Sequence, residues 1–142
     1  MYRRILVALD HTKADESLLP HVARLAAMTQ AELLLVHVAD GWAARNYDRL
    51  KLAESEEMRE DRAYLDRTAA ALRERHGLTV TARLALGDPP REILRLSEES
   101  QCDLIAMTTH GHRLIGDILF GSTIDYVRHR SKAPLLIVSP KG

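Results

Sequence analysis

A glycine-punctuated segment precedes residues that are typical of a helix start. Gly111, Gly116 and Gly121 lie in this segment, and Ser122 is followed three residues later by Asp125, which is the spacing of a capping box. Unpaired backbone N–H groups and the positive end of the helix dipole meet at such a start, and glycine lets a ligand approach the backbone. The segment could therefore bind a phosphate. Glycines also occur in ordinary turns, so these residues alone leave both interpretations open.

An acidic residue follows the first apolar run of the chain. Residues Arg4 to Leu9 have the composition of a buried strand, and Asp10 comes directly after them. A carboxylate at this place could accept a hydrogen bond from a ligand, and it could equally cap the helix that follows. The two roles are compatible, so Asp10 is a candidate binding residue.

These features together resemble a known family. Thr108, Gly111, Gly121 and Ser122, read with Asp10, are similar to the nucleotide-binding motif of the universal stress protein family, which is Gly-x-x-Gly-x9-Gly-Ser/Thr. The resemblance covers residues 1–142 as a single domain and implies a stress-response regulatory protein. Its implied ligand is ATP, with or without Mg²⁺, or AMP.

The same resemblance implies a role for each site residue. Ala8, Asp10 and Val38 would contact the adenine, Met107, Thr108 and Gly111 the ribose and α-phosphate, and Gly121, Ser122 and Thr123 the outer phosphates.

Thr108 stands where the family motif has its first glycine. Its branched side chain could crowd the ribose and α-phosphate and weaken binding. Its hydroxyl could instead supply a hydrogen bond to the nucleotide. A second functional hypothesis follows from this departure, namely a stress module that has lost its nucleotide and acts only through protein–protein interaction.

The composition excludes several classes of partner. Twenty basic and twenty acidic residues give a formal net charge of +0, so bulk electrostatics do not favour nucleic acid or an anionic membrane. Cys102 is the only cysteine, which excludes an intrachain disulfide and is typical of a core-edge residue. No apolar run approaches the roughly 20 residues of a membrane span. We expect a cytoplasmic protein.

Apolar runs that fit strands alternate with helical patterns along the chain. The uninterrupted apolar runs indicate strands that are buried on both faces, as in a parallel sheet. The pattern therefore predicts a doubly wound α/β fold with helices on both faces of a five-stranded parallel sheet. The predicted strands are Arg4 to Leu9, Glu32 to Val38, Thr79 to Leu86, Leu104 to Met107 and Leu135 to Val138.

The resemblance supplies the strand order 3-2-1-4-5. In such a sheet the order reverses between the first and fourth strands, and ligands bind beyond the carboxyl ends of strands at that reversal. Asp10 and the segment that starts at Thr108 would then lie side by side.

The sequence also indicates where the helices begin. Pro20 would remove a hydrogen bond from a helix that began near Thr12, so either Glu16 or Ser17 caps the first helix or the helix is kinked. The segment from Gly41 to Asp48, with Trp42 and Tyr47, is predicted to be a surface loop. Asp88 is predicted to cap the third helix, with Pro89 at its first position, and Ser122 to Arg130 form the fourth.

A long charged helix is predicted from Arg49 to His76, ended by Gly77. Its apolar stripe consists of Met58, Leu65, Ala69 and Leu72. Its charges are predicted to form a solvated outer face with pairs that involve Glu57, Arg59, Asp61 and Arg62.

The sequence offers no catalytic motif. Walker, Gly-x-Ser-x-Gly and His-Glu-x-x-His patterns are absent, so any enzymatic activity would be at most slow ATP hydrolysis. A phospho-receiver domain needs an acceptor Asp at the end of strand three, where this chain has Leu86 and Gly87. His110 and His112 form an alternating pair without a third ligand, so we expect no metal site.

An apolar strand at the sheet edge predicts self-association. Residues Leu135 to Val138 would leave unpaired backbone groups in a monomer, and such an edge favours pairing with another strand. A homodimer through strand five is expected, as the family resemblance also implies, together with an unknown protein partner.

Overall fold

Helices and strands alternate along the chain. The computed structural model describes residues 1–39, 51–109 and 123–140. The elements in chain order are β1 (Arg4–Ala8), α1 (Asp15–Thr29), β2 (Glu32–Ala39), α2 (Lys51–His76), β3 (Val80–Leu86), α3 (Pro89–Glu99), β4 (Leu104–Thr108), α4 (residues 123–130) and β5 (Leu135–Val138).

The five strands form one parallel sheet in the order β3-β2-β1-β4-β5. Val7 of β1 is in register with Ala106 of β4, and Thr108 is in register with Val138 of β5. The predicted fold class and strand order are confirmed. Because the order reverses between β1 and β4, the carboxyl ends of these two strands flank the crevice where doubly wound sheets bind ligands.

Each face of the sheet is covered by its own apolar cluster. On one face, side chains such as Val7 and Leu35 pack with Leu18 of α1 and Leu65 of α2. On the other face, a separate set packs with α3 and α4. This second set includes Leu6, Val36, Ile105, Leu96 and Val127, which are 1% exposed or less. Burying one such aliphatic side chain contributes about 1.5–3 kcal/mol, so the two clusters fix the sheet between its helices.

Helix α1 begins earlier than predicted. It starts at Asp15, its N-cap is Ala14 with no side-chain cap, and Pro20 lies inside it. Of the two alternatives, the cap at Glu16 or Ser17 is therefore wrong, and a helix that runs through Pro20 is the one observed. Pro20 is exposed, and the buried side of the helix, which includes Leu18, continues past it, so packing holds the helix together despite the missing N–H.

Helix α2 has the predicted end and three of the four predicted stripe residues in the core, whereas Met58 is half-buried and outside both apolar clusters. Leu65, Ala69 and Leu72 are buried, and Gly77 ends the helix with a φ of +63 while its N–H donates to the Arg73 carbonyl at 2.9 Å. Asp61 contradicts the prediction of a surface ion pair, because it is only 8% exposed and faces the loop after β1.

Helix α3 starts as predicted, with Asp88 at the N-cap and Pro89 next, although the Asp88 side chain makes no capping hydrogen bond. Ile93, Leu96 and Ser97 are buried. No helix within the described ranges is long and apolar enough to cross a membrane.

Candidate functional site

Two residues that are 98 positions apart meet where β1 and β4 end. The Leu9 N–H donates to the Val36 carbonyl at 2.8 Å, which carries the β1 pairing one residue beyond the strand. The next residue is Asp10, and the Thr108 hydroxyl donates to its Oδ2 at 3.3 Å. The expected proximity of Asp10 and Thr108 is confirmed, and both lie at the reversal of strand order.

The protonation of Asp10 is set by its surroundings. Burial, followed by the nearby Asp15 carboxylate, raises the pKa of this carboxyl from 3.8 to about 7, and the hydrogen bond from Thr108 opposes the rise. Near neutral pH the group is therefore close to half ionised. A ligand that donates a hydrogen bond here would favour the ionised form.

Asp15 holds the loop that carries Asp10. Its Oδ1 accepts from the Asp10 N–H at 2.9 Å, and its Oδ2 accepts from the His11 N–H at 2.9 Å and from the Tyr64 hydroxyl at 2.5 Å. Burial and the bond to Asp15 raise the pKa of Tyr64, so the phenol stays protonated and donates. The side chain that binds the backbone of this turn is that of Asp15, while the Asp10 carboxyl is left facing Thr108.

A cluster of polar side chains that the sequence did not indicate lies beside this loop. The His11 Nδ1 donates to Asp61 Oδ1 at 2.6 Å, and the His11 ring stacks on Tyr64 with centroids 4.1 Å apart. The His37 Nδ1 donates to the Leu9 carbonyl at 2.9 Å, and its Nε2 lies 3.5 Å from Asp61 Oδ2. One signal was present in the sequence, because Asp61 precedes Leu65 by four residues and so shares its face of α2.

This cluster contains His and Asp side chains, which are residue types that can bind metal ions. Within residues 1–39, 51–109 and 123–140, no group of three or more His, Cys, Asp or Glu side chains is arranged to hold a metal ion. The 2.6 Å separation between His11 and Asp61 is that of a strong hydrogen bond.

Three of the predicted site residues are apolar and largely buried. Ala8 is 9% exposed, Met107 is 2% exposed, and Val38 is half-buried. All three belong to the apolar cluster on the α3 and α4 face of the sheet.

Thr109 is a further polar residue at the end of β4 that the sequence did not single out. Its N–H donates to the Val138 carbonyl at 3.1 Å. Within the described part of the chain, its buried Oγ1 is the one buried side-chain polar atom that has no hydrogen-bond partner. Because side chains alternate along a strand, Thr109 shares the face of Met107.

The predicted phosphate-binding residues are described only in part. Thr123 is half-buried at the first described position of α4. The remaining predictions for this loop and for the loop after β2 lie outside the described residues, and they concern His110, Gly111, His112, Gly116, Gly121, Ser122, Trp42 and Tyr47.

Comparison with known proteins identifies the class to which this fold and crevice belong. The model of the Universal stress protein family matches residues 1–139. The chain therefore belongs to the universal stress protein family.

One relative is similar to this chain over nearly its full length. Universal stress protein MJ0577 of Methanocaldococcus jannaschii is 27% identical over 158 residues, which cover 100% of this chain and 98% of that protein. The solved structure of MJ0577 superposes on this chain with a TM-score of 0.83, and the superposition covers 99% of the MJ0577 chain.

Two structures of more distant relatives contain nucleotides. A universal stress protein in complex with cAMP has a TM-score of 0.70 at 22% identity and covers 97% of both chains. The Archaeoglobus fulgidus universal stress protein in complex with dAMP has a TM-score of 0.71 at 22% identity, with 96% of this chain and 98% of that chain covered. At this identity the likeness shows the fold.

Proposed function

We propose that this chain binds an adenine nucleotide in the crevice between β1 and β4, and that occupancy regulates its interactions in a stress response. The observation that carries the proposal is the contact between Asp10 and Thr108 at the reversal of strand order. A regulator of this kind needs a binding site but no catalytic group.

The described residues fit the adenosine part of such a ligand. Asp10 offers carboxylate oxygens to a ribose hydroxyl or to the adenine amino group, and Ala8 and Val38 offer apolar contacts to the base, while Met107 would border the ribose and α-phosphate. The buried Thr109 hydroxyl, which lacks a partner in the described part of the chain, could bond a polar group of the ligand. An unpaired buried hydroxyl costs about 1–3 kcal/mol, so a ligand that pairs it gains affinity.

The phosphate side of the proposal rests on the family resemblance. Gly111, Gly121, Ser122 and Thr123 would present backbone N–H groups and hydroxyls to the phosphates of ATP, with or without Mg²⁺, or of AMP. Relatives support the choice of an adenine nucleotide, since solved universal stress protein structures are complexes with cAMP and with dAMP. These two ligands share an adenine, a sugar and one phosphate.

The alternative function is a ligand-free module that acts through protein partners alone, and one observation favours it. The Thr108 hydroxyl, at the position of the family's first glycine, already donates to Asp10 Oδ2. A nucleotide that bonds Asp10 must share this acceptor with Thr108. We favour binding, because a carboxylate has two oxygens and can accept from both donors.

The proposal includes a cytoplasmic homodimer that pairs through β5. This strand is a sheet edge, and its four apolar residues are all half-buried. The Pro134 and Val138 carbonyls accept from residues on the β4 side. Because backbone groups alternate along a strand, Leu135 and Ile137 direct their N–H and C=O groups away from β4, where a second copy could pair.

Nucleotide that co-purifies with the full chain tests the binding function. The protein is purified without added nucleotide, denatured by heat, and the supernatant is run on an anion-exchange column. We expect a peak that elutes with AMP, ADP or ATP at a stoichiometric fraction of the chain. Absence of nucleotide in this extract, together with no uptake after incubation with millimolar ATP or AMP, would favour the ligand-free alternative.

A further inference from the structure

His11 adopts a backbone conformation that side chains with a Cβ seldom adopt. Its φ is +60, in the left-handed region. Non-glycine residues disfavour this region because the Cβ approaches the following carbonyl oxygen, although histidine visits it more often than most residues. The strained residue, His11, directly follows Asp10. A contact that stabilises this conformation of His11 therefore also holds the backbone that carries the Asp10 carboxyl.

Two side chains of α2 hold His11 in this conformation. The Asp61 carboxylate accepts from His11 Nδ1 at 2.6 Å, and the Tyr64 ring stacks on the imidazole at an interplanar angle of 15°. Asp61 is 8% exposed, so solvent weakens its hydrogen bond little. We call Asp61 and Tyr64, with the imidazole between them, the α2 clamp.

The α2 clamp also contacts His37 of β2 and, through it, the residue that follows β1. His37 of β2 donates from Nδ1 to the Leu9 carbonyl at the end of β1, and its Nε2 lies 3.5 Å from the second Asp61 oxygen. The Tyr64 hydroxyl reaches Asp15, whose carboxylate binds the Asp10 and His11 N–H groups. The His11 side chain is therefore held by α2, whereas the loop backbone is held by Asp15 of α1, which α2 contacts through Tyr64.

We propose that Asp61 and Tyr64 are positioning residues of the nucleotide site, which act through His11 to hold the Asp10 carboxyl in place for its ligand. The proposal rests on the nucleotide-binding function proposed above and adds residues that the family motif does not contain. It also links the site to α2, because a movement of this helix would release the His11 side chain and leave only Asp15 of α1 to hold the loop.

The test removes the clamp and restores it in part. Asp61→Ala deletes both acceptor oxygens, whereas Asp61→Asn keeps one oxygen that can accept from His11 Nδ1. Asp66→Ala is the matched control, since Asp66 is an exposed residue of the same helix. Circular dichroism first establishes the temperature at which each variant is folded, and all binding is measured there.

Calorimetric titration of each full-length variant with AMP measures the ligand effect. We expect about tenfold weaker binding for Asp61→Ala, because a loop that leaves the left-handed conformation must be returned to it on binding. Asp61→Asn should stay within about threefold of wild type, and Asp66→Ala should equal it. Equal affinities for Asp61→Ala and Asp66→Ala would overturn the proposal.

A glycine at position 11 separates positioning from direct contact. His11→Gly permits a positive φ without a clamp, so adding Asp61→Ala to it should change AMP affinity by less than about twofold. A tenfold loss from Asp61→Ala in this background would show that Asp61 acts by another route, and the proposal would fail. If His11→Gly alone abolishes binding, the imidazole itself contacts the ligand and the positioning role is wrong.

A measurement without ligand keeps the two proposals distinguishable. Amide hydrogen exchange of Asp10 and His11 in the nucleotide-free chain should be faster in Asp61→Ala than in wild type and unchanged in Asp66→Ala. Unchanged exchange in Asp61→Ala overturns the clamp even if nucleotide binds. If Asp61→Ala exchanges faster than wild type but wild type binds no AMP, the hold on the loop is supported and the nucleotide function is overturned.

Discussion

At the scale of single residues, Asp10 is the group whose chemistry depends most on its neighbours. Burial and the Asp15 carboxylate raise its pKa, while the Thr108 hydroxyl opposes the rise. Neither hydrogen-bond partner nor neighbouring charge could be assigned to Asp10 from the sequence alone, because Asp15 begins a helix whose start was not predicted there and Thr108 is 98 residues away. The resemblance placed Thr108 near Asp10, but it did not indicate their hydrogen bond.

The raised pKa of Asp10 predicts a pH dependence of stability. Its folded pKa of about 7 exceeds the ordinary value of 3.8, so the folded chain holds a proton that the unfolded chain has lost between these values. The contribution of protonated Asp10 to the free energy of unfolding is fully present below about pH 4 and is lost as the pH rises through about 7. The loss is of the order of 2 kcal/mol, since a one-unit shift is about 1.4 kcal/mol and partial solvation reduces the effect.

Asp10→Asn tests this dependence, because its amide stays neutral at every pH. Urea denaturation of both proteins from pH 4 to pH 8 should show that wild type loses stability relative to the variant over this range. The difference between the two proteins removes the contribution of the histidines, which they share. A constant difference across the range would mean that Asp10 ionises as it does in the unfolded chain.

Asp61 shows why one part of the site escaped sequence reasoning. A carboxylate in a dense charge run is usually solvated, and surface pairs with nearby arginines such as Arg59 and Arg62 were expected. The Asp61 carboxylate instead pairs with His11, in the loop after β1, and with His37 of β2. Such long-range pairs leave no periodic signal.

At the scale of elements, apolar periodicity was sufficient to locate the strands and the core stripe of α2. Strand bounds agree with prediction to within one residue, for example β4 at Leu104–Thr108, because uninterrupted apolar runs have few alternatives in a parallel sheet. The start of α1 was wrong because Pro20 was given more weight than packing. Leu18 and Val22, on either side of Pro20, are both fully buried, and this burial outweighs the lost hydrogen bond.

Replacing Pro20 should stabilise the protein. Pro20→Ala restores an N–H that can donate to the Glu16 carbonyl and removes the clash of the ring with that turn. We expect a gain of about 1–3 kcal/mol in the free energy of unfolding, measured by urea denaturation. The neighbouring exposed His21→Ala is the control and should change stability by no more than about 0.5 kcal/mol. A loss of stability in Pro20→Ala would indicate that the proline is needed where it stands.

At the scale of the whole molecule, the strand order was supplied by the family resemblance, whereas alternation alone indicated only a doubly wound sheet. That order is what brings the ends of β1 and β4 together and leaves β5 at an edge. The fold of one chain places β5 at the sheet edge, which agrees with the proposed homodimer but does not test it.

Light scattering after gel filtration tests the proposed dimer. We expect twice the 16.0 kDa mass of the chain at micromolar concentration. Ile137→Pro removes an N–H that faces away from β4 and should give the monomer mass. Ile137→Ala loses similar side-chain packing but keeps the N–H, so it should remain dimeric. A monomeric wild type, or a dimeric Ile137→Pro, would contradict pairing through β5.

The central claim is that Asp10 lies in an adenine nucleotide site. Calorimetric titration of the full chain with AMP and with ATP and Mg²⁺, for wild type and Asp10→Ala, tests it most directly, with Asp88→Ala as the control because Asp88 is exposed and makes no capping bond. We predict saturable binding to wild type and to Asp88→Ala, and at least about tenfold weaker binding to Asp10→Ala, since a hydrogen bond to a charged group contributes about 1.5–3 kcal/mol. No binding by wild type up to millimolar nucleotide, or equal affinity in Asp10→Ala, would contradict the account.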